Sequence, residues 1–271
     1  MRSFNPKKNL PSVLLLLLLC GLILCPLITV FEKAVIIDGR LDLYQAWRTI
    51  ANAENVQTVC NSLWLGVCVV LCSTVIAVPT AYLLARTRLA AHGWLDIVVM
   101  IPFMTPPYIA SMGWILFMQK RGLFQQLFPA TGSWSEGFFC FGGLVLVMSL
   151  HVFPFLMTML KNAMLNIPAS LEESGAVFGA GFGLRLRRIF APLPTGNYAI
   201  GALLVFVKTL SEYGTPYTLG RRIGFYVFTT DIHRYSTTAP IDFGRSASLS
   251  SVLICICMAM WLMQNYITGK N

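Results

Sequence analysis

Three polar side chains stand inside an otherwise apolar run near residue 210. The stretch KTLSEYGTP carries Lys208, Ser211 and Glu212. Ionisable side chains are costly inside a membrane-spanning helix, so they face other protein groups or a water-filled cavity and mark a functional site by default. Lys208 and Glu212 are four positions apart, which predicts an ion pair across one helical turn. Two hypotheses follow: a structural ion pair near the outer end of a helix, or the lining of a translocation path or gate.

Catalysis is another chemistry that these side chains permit, in a cavity that would also hold His151. The sequence contains few other features that are typical of an enzyme. It lacks the patterns G-x-x-x-x-G-K-[ST], H-E-x-x-H and G-x-S-x-G, which would mark a phosphate loop, a zinc site and a nucleophilic serine. The three histidines lie on separate segments, and the eight cysteines include no C-x-x-C pair. We therefore predict no catalytic residue, no metal site and no cofactor on this chain, and ATP hydrolysis would need another polypeptide.

The elements that carry these side chains are long apolar blocks. Of the 271 residues, 56% are hydrophobic and 11% are charged, whereas a soluble domain carries about a quarter charged residues. A helix needs about 20 apolar residues to cross a bilayer. Six blocks meet this length, at 11–31, 58–84, 94–118, 138–160, 197–219 and 246–267. We predict an all-α membrane protein, with residues 1–271 forming a single transmembrane domain. No small-x-small cleavage site follows the first block, so we expect a retained helix rather than a signal peptide.

The third block is interrupted by prolines. Its sequence IPFMTPPYIASMGWILFM contains Pro102, Pro106 and Pro107, which remove backbone donors and disfavour helix just before them. Such breaks occur at membrane depth only where protein or a water-filled cavity satisfies the backbone. The block is therefore either a kinked helix buried in the bundle or a path-lining element whose unwound part forms a gate.

The longest polar interruption of the apolar sequence runs from 168 to 194, PASLEESGAVFGAGFGLRLRRIFAPLP. Ser170 and Glu173 have the spacing of a capping box, in which the serine caps a helix and the glutamate bonds back to the serine amide. Glu172 and Glu173 would place negative charge in the first turn, where the helix dipole favours it. Gly179 fits a left-handed C-terminal cap. We predict a helix of about two turns, followed by a second, basic helix in LRLRRI.

One face of this short helix combines small and apolar residues at positions i, i+3, i+4 and i+7. The face consists of Leu171, Ser174, Gly175 and Phe178. A small-residue notch between two apolar flanks suits either an ordinary connector or a docking site for a partner protein.

The lysines and arginines orient the chain. If the N-terminus is cytoplasmic, ten of them lie in inside segments and eight in outside segments, which is the direction of the positive-inside rule. The loop at 168–194 is then cytoplasmic. The net charge of +9 is largely juxtamembrane, and no basic cluster is interleaved with exposed aromatic residues as a nucleic-acid site would require.

Four residues of the loop carry a resemblance to a known family. Glu173, Gly179, Ile189 and Pro192 follow the spacing E-x5-G-x9-I-x2-P. This pattern resembles the EAA loop of permease subunits in bacterial binding-protein-dependent ABC importers. The runs P-P-Y-I-A-x-x-G-W and L-S-E-Y-G-T-P are similar to the iron(III)-type subgroup. The chain departs from the pattern where the two alanines of the family are replaced by Ser174 and Gly175, and Gly175 weakens a helix by about 1 kcal/mol relative to alanine.

The resemblance implies a type I importer permease of MetI-like architecture in the bacterial inner membrane, with several passes. Its loop would be the coupling helix that docks on a cytoplasmic ATP-binding subunit, and ATP would be used by that subunit. The implied coupling residues are Ser170, Leu171, Glu172, Glu173, Ser174, Gly175, Phe178, Gly179, Ile189 and Pro192. The implied residues of the path or gate are Pro102, Pro106, Pro107, Lys208, Ser211 and Glu212.

The resemblance also implies partners and a cargo. A periplasmic substrate-binding protein would deliver the cargo, and a second permease half, identical or related, would complete the path. Iron(III) is the first expectation for the cargo; sugar phosphates, phosphonates and thiamine come next. Two functions from other classes stay open, a membrane-embedded enzyme and a stand-alone channel or carrier, but both leave the capped loop without a role.

Overall fold

The computed structural model describes residues 6–37, 40–41, 43–129, 132–190 and 192–268. Helices dominate this part of the chain. They are α1 (Pro6–Val35), α2 (Leu43–Ile50), α3 (Ala53–Arg86), α4 (Trp94–Met104), α5 (Pro107–Met118), α6 (Leu123–Leu127), α7 (Gly132–Gly137), α8 (Phe141–Leu165), α9 (Ala169–Val177), α10 (Phe182–Arg185), α11 (Thr195–Ser211), α12 (Phe228–Thr237) and α13 (Phe243–Thr268). A 3-10 turn at Arg88–Ala91 and π-helical turns at Leu186–Phe190 and Pro216–Gly220 connect some of them. Two short antiparallel strands, β1 (Ile36–Ile37) and β2 (Arg40–Leu41), pair after α1.

Four described helices are long and apolar enough to cross a membrane. They contain the segments Pro11–Val35, Ala53–Arg86, Phe141–Leu165 and Phe243–Tyr266. The third predicted block forms two helical segments, Trp94–Met104 and Pro107–Leu127, with a sharp bend between them. If this pair is counted as one span, it is the fifth. In the fifth predicted block, α11 has 17 residues and ends at Ser211. It is therefore shorter than the 18 residues required of a candidate span. The six-span arrangement therefore stays a prediction.

Contacts divide the chain into two units, one of residues 1–56 and 231–256 and the other of residues 57–230 and 257–271. The second unit is built around α8. The inward face of α8 is fully buried, with Leu144, Met148, Val152 and Leu156 at its centre. Every predicted coupling and path residue belongs to this unit.

Close helix packing holds the second unit together. Lipid tails are as apolar as leucine, so helices associate in a membrane through close contact, for which small residues are suited. A Cβ atom added at Gly201 of α11 would lie 2.8 Å from Leu156 of α8, and one added at Gly66 of α3 would lie 2.7 Å from the ring of Phe206. These two glycines let α11 approach its neighbours more closely than an alanine would.

In the other unit, a polar cluster surrounds Arg234. Its guanidinium lies 3.3 Å from Asp231 and 3.7 Å from Glu54, and the Tyr235 hydroxyl donates to Asn55 Oδ1 at 3.2 Å. Partial burial acts to lower the pKa of Arg234, but the Asp231 carboxylate, Tyr235 and Glu54 together raise that pKa above its ordinary value. Arg234 therefore stays protonated at any physiological pH.

Candidate functional site

The helix predicted in the loop is present, but it begins differently. It starts at Ala169 with Pro168 at the N-cap, and no side chain caps it. The predicted capping box is therefore wrong. The fixed φ of proline suits a helix start, and the Pro168 carbonyl already accepts the Leu171 amide at 3.2 Å. Ser170 is consequently helical, and a cap must have non-helical backbone. Of the two glutamates expected in the first turn, only Glu172 lies there.

The end of α9 is as predicted. Gly179 has a φ of +78°, the left-handed conformation that favours glycine. The Ala180 amide bonds to the Gly175 carbonyl at 2.9 Å, and the Gly179 amide bonds to the Ala176 carbonyl at 3.0 Å. This pair of bonds is a Schellman motif. It stops the helix sharply and fixes the direction in which the chain leaves it.

The tip of α9 exposes large apolar side chains. Leu171 is 46% exposed, Val177 85% and Phe178 89%. Of the predicted notch residues, Ser174 is exposed and Gly175 is half-buried. We call Leu171, Val177 and Phe178 the apolar tip. Sequence reasoning left Val177 out of this surface, because it does not share the i, i+3, i+4 spacing of the other residues. Exposed apolar surface beside polar residues is typical of an interaction site.

The predicted basic helix is only partly formed. α10 covers Phe182–Arg185, and a π-helical turn continues to Phe190. Arg185 lies 3.4 Å from Glu172, so it ties α10 back to the first turn of α9. Pro192 is exposed, and the side chain of Ile189 lies outside the described residues.

Arg86 is a residue that sequence reasoning counted only as a cytoplasmic charge. Its Nη2 donates to the carbonyls of Met164 and Ile167, each at 2.5 Å. Its guanidinium also lies 5.4 Å from the ring centre of Phe190, which is buried and packs edge-to-face on Tyr82. These partners are far away in the sequence, so no local pattern could identify them.

The predicted break in the third block is present. α4 ends at Met104, Pro106 is the N-cap of α5, and the two helical segments are bent by 92°. Pro106 has no N–H, so the Pro102 carbonyl lacks the donor that a continuous helix would supply. The Nδ1 atom of His151 lies 2.8 Å from that carbonyl. A buried histidine of α8 therefore satisfies the backbone where the helix breaks.

The predicted Lys208–Glu212 ion pair is wrong. α11 ends at Ser211, and Glu212 has extended backbone with a ψ of 135°, so it does not lie one helical turn above Lys208. The Lys208 Nζ instead lies 5.1 Å from the ring centre of Phe103. Glu212 Oε1 accepts the Thr215 amide at 2.9 Å, and Ser211 Oγ bonds to the Val207 carbonyl at 2.9 Å.

The structure nevertheless brings the two predicted path segments together. Phe103 stacks on His151 with ring centres 6.0 Å apart, so Pro102, Phe103, His151 and Lys208 form one group, which we call the break cluster. A second contact lies further along both segments, where the hydroxyls of Ser111 and Thr218 are 2.7 Å apart. Pro107 opens α5 between these two contacts. In the described residues, no three His, Cys, Asp or Glu side chains converge as a metal site would require.

Comparisons with known proteins agree with this architecture. No family model matches the chain. The ferric transport system permease protein FbpB of Actinobacillus pleuropneumoniae is 24% identical over 261 residues, which is 95% of this chain and 37% of that protein. The molybdenum transport system permease protein ModB of Escherichia coli is 27% identical over 205 residues, covering 75% of this chain and 88% of that protein. A chain of a bacterial alginate ABC transporter, solved with its periplasmic protein, superposes with a TM-score of 0.74 at 15% identity, over 98% of this chain and 96% of that one.

The chain has the fold of an ABC-importer permease. The all-α, multi-pass architecture and the resemblance stated from the sequence are confirmed. The chain spans about two fifths of the length of the ferric relatives that it matches, 41% and 37%. Within the permease fold, α9 and its apolar tip occupy a polar connection between apolar helices. In the break cluster His151 is buried, Pro102 and Phe103 are half-buried, and Lys208 is exposed.

Proposed function

We propose that this chain is a transmembrane permease subunit of an ATP-driven ABC importer in the bacterial inner membrane. α9 would seat its apolar tip in a separate ATPase, and a periplasmic binding protein would deliver the cargo from the other side. The observation that carries the proposal is α9 itself. A sharply terminated helix with Val177 and Phe178 almost fully exposed has no evident purpose in an enzyme or a stand-alone carrier, and relatives of the chain are transport permeases.

The orientation of the chain in the membrane and the need for a second permease half follow from the same proposal. Docking on a cytoplasmic ATPase requires α9 to be inside, which places the N-terminus inside as the positive-inside rule predicts. An importer needs two docking sites for its two ATPases, and the described residues offer one. A second half, as a separate chain or as part of a longer one, would supply the other.

For the cargo, we propose iron(III). The ferric relatives match along 95% of this chain, and the runs around Pro107 and Ser211 resemble those of the iron(III)-type subgroup. Molybdate is the competing cargo, because ModB aligns over most of its own length. No group of side chains in the described residues forms a metal site, so cargo selectivity would rest mainly with the binding protein. Uptake of radioactive iron(III) and of radioactive molybdate separates the two cargoes. Only the true cargo should enter more slowly in cells that lack the chain than in cells that have it.

Site-directed crosslinking tests the permease proposal itself. The eight cysteines are replaced, and a single cysteine is introduced as Val177→Cys. We expect a short crosslinker to trap a P-loop ATPase of the same cell, with a yield that changes when ATP is added. The matched control is Leu89→Cys, on an exposed residue of the 3-10 turn between α3 and α4. Equal trapping at both sites, or none at Val177 in a correctly inserted chain, would contradict the proposal.

A further inference from the structure

Both ends of the loop that contains α9 converge on one side chain. The loop leaves α8 at Ile167, whose carbonyl accepts a hydrogen bond from Arg86, and it returns at Phe190, whose ring faces the same guanidinium. We infer that Arg86 is a positioning residue that clasps the two ends of the loop, so that a displacement of α9 is passed to the membrane helices. The inference rests on the proposed function and names the residue through which the coupling acts.

The hydrogen bonds at the first end of the clasp are of a strong type. α8 ends at Leu165, so the Met164 carbonyl lies in its last turn, where the helix dipole concentrates negative charge, and the Ile167 carbonyl lies just beyond the C-cap. A guanidinium that donates to such carbonyls forms charge-assisted bonds, which are shorter and stronger than neutral ones. Both bonds come from a single nitrogen of Arg86. The clasp therefore fixes the exit of the chain from α8 relative to the last residue of α3.

The second end of the clasp is an aromatic contact. Phe190 is 1% exposed and lies between the guanidinium and Tyr82, which is one helical turn before Arg86 on α3. A planar guanidinium stacks on an aromatic face in a way that an ammonium does not match. The end of α3 therefore holds the residue with which the loop returns to the bundle.

The environment of Arg86 argues against a purely structural charge. No described carboxylate pairs with it, and its Nε is buried with no hydrogen-bond partner among the described residues. Arg86 is half-buried, a partly desolvated charge without a counterion is costly, and an apolar side chain would cover Phe190 at lower cost. An apolar side chain would, however, leave both carbonyls of the α8 end without the donor that Arg86 supplies. Between the two ends, the Glu172–Arg185 pair ties α9 to α10.

The test compares Arg86→Met with Arg88→Met in membranes that contain the whole importer. Arg88 is two residues away and exposed, so its replacement removes the same charge from the same cytoplasmic segment. Three quantities are measured: Val177→Cys crosslinking to the ATPase, ATP hydrolysis, and cargo uptake. For Arg86→Met we expect crosslinking and hydrolysis to persist while uptake per ATP hydrolysed falls about tenfold, a plausible size for lost coupling. Arg88→Met should match the wild type in all three.

Two milder variants protect the test against a folding failure. Arg86→Lys keeps the charge without the planar fork, and Phe190→Leu keeps the apolar volume without the ring; both should insert normally and show a smaller drop in uptake per ATP. Wild-type uptake per ATP in both mild variants, or an equal drop in Arg86→Met and Arg88→Met, would overturn the clasp. Failure of the proposed function looks different, because the chain with native Arg86 would then show no ATPase crosslink at Val177.

Discussion

His151 shows how one side chain makes a broken helix tolerable at membrane depth. The Pro102 carbonyl would normally be satisfied by an amide four residues on, but that residue is Pro106. His151 supplies the missing partner at 2.8 Å, and its ring is held between α8 and Phe103. The sequence alone makes His151 only a candidate for a catalytic cavity. Its contacts give it a structural task instead.

Replacing His151 should therefore lower stability. His151→Leu leaves the carbonyl of half-buried Pro102 without its donor, which costs about 1–3 kcal/mol, whereas His151→Gln keeps a donor and should lose less. Thermal unfolding of the purified protein in detergent checks both variants. His92→Leu, in the exposed connection after α3, is the control and should unfold like the wild type. Equal unfolding temperatures for His151→Leu and the wild type would mean that water already satisfies this carbonyl.

Glu212 bonds to the backbone instead of pairing with Lys208. Its carboxylate accepts the Thr215 amide, so it starts the turn after α11 rather than neutralising Lys208. Glu212→Gln keeps an acceptor and should preserve stability, while Glu212→Ala should lose about 1 kcal/mol, as for a lost cap. The decisive measurement is ATP-dependent uptake by Glu212→Gln. Reduced uptake at unchanged stability would show that the negative charge serves the path, and unchanged uptake would assign Glu212 a structural role alone.

At the scale of elements, α9 separates what its sequence could predict from what it could not. The C-terminal end was predictable, because a Schellman motif needs a left-handed residue and Gly179 is the natural choice. The N-terminal end was not, because Pro168 and Ser170 compete for the start and proline prevails with its fixed φ. The break between α4 and α5 was predictable from three prolines alone. The sequence predicts that α11 continues beyond Ser211, whereas the helix ends there. The predicted Lys208–Glu212 ion pair is wrong for that reason.

Gly179 permits a test of α9 as a rigid element. A Cβ atom at Gly179 would meet nothing within 4 Å, but its φ of +78° disfavours side chains, at a cost of about 1–2 kcal/mol. We expect Gly179→Ala to loosen the helix end and to lower Val177→Cys crosslinking to the ATPase. Gly179→Asn should do less harm, since asparagine tolerates this conformation.

The matched control is Gly181→Ala, since Gly181 also has open space for a Cβ but no positive φ. If Gly179→Ala and Gly181→Ala crosslink as the wild type does, the direction of the chain at the end of α9 does not matter for docking. Full crosslinking with reduced uptake would instead place the requirement for Gly179 at the coupling step.

At the scale of the whole molecule, a series of contacts joins the loop to the broken span. Arg86 fixes the loop to the end of α8, Lys161 of α8 pairs with Asp96 of α4 at 2.6 Å, and His151 holds the break at which α4 ends. None of these connections could be predicted from local sequence, because each joins residues about 50 or more positions apart. They give a displacement of α9 a physical route towards the predicted gate.

A reversible lock at Ser111 and Thr218 tests whether that gate must open. Their hydroxyl oxygens are 2.7 Å apart, and a disulfide bond is about 2.05 Å long, so Ser111→Cys with Thr218→Cys in a cysteine-free background should oxidise readily. If transport requires α5 to separate from the turn after α11, uptake should fall about tenfold on oxidation and recover on reduction, while Val177 still contacts the ATPase. Each single cysteine variant should be insensitive to oxidation. Full uptake by the oxidised double variant would show that this contact stays closed throughout transport. The moving part of the path would then lie elsewhere, and the break cluster would be the next site to crosslink.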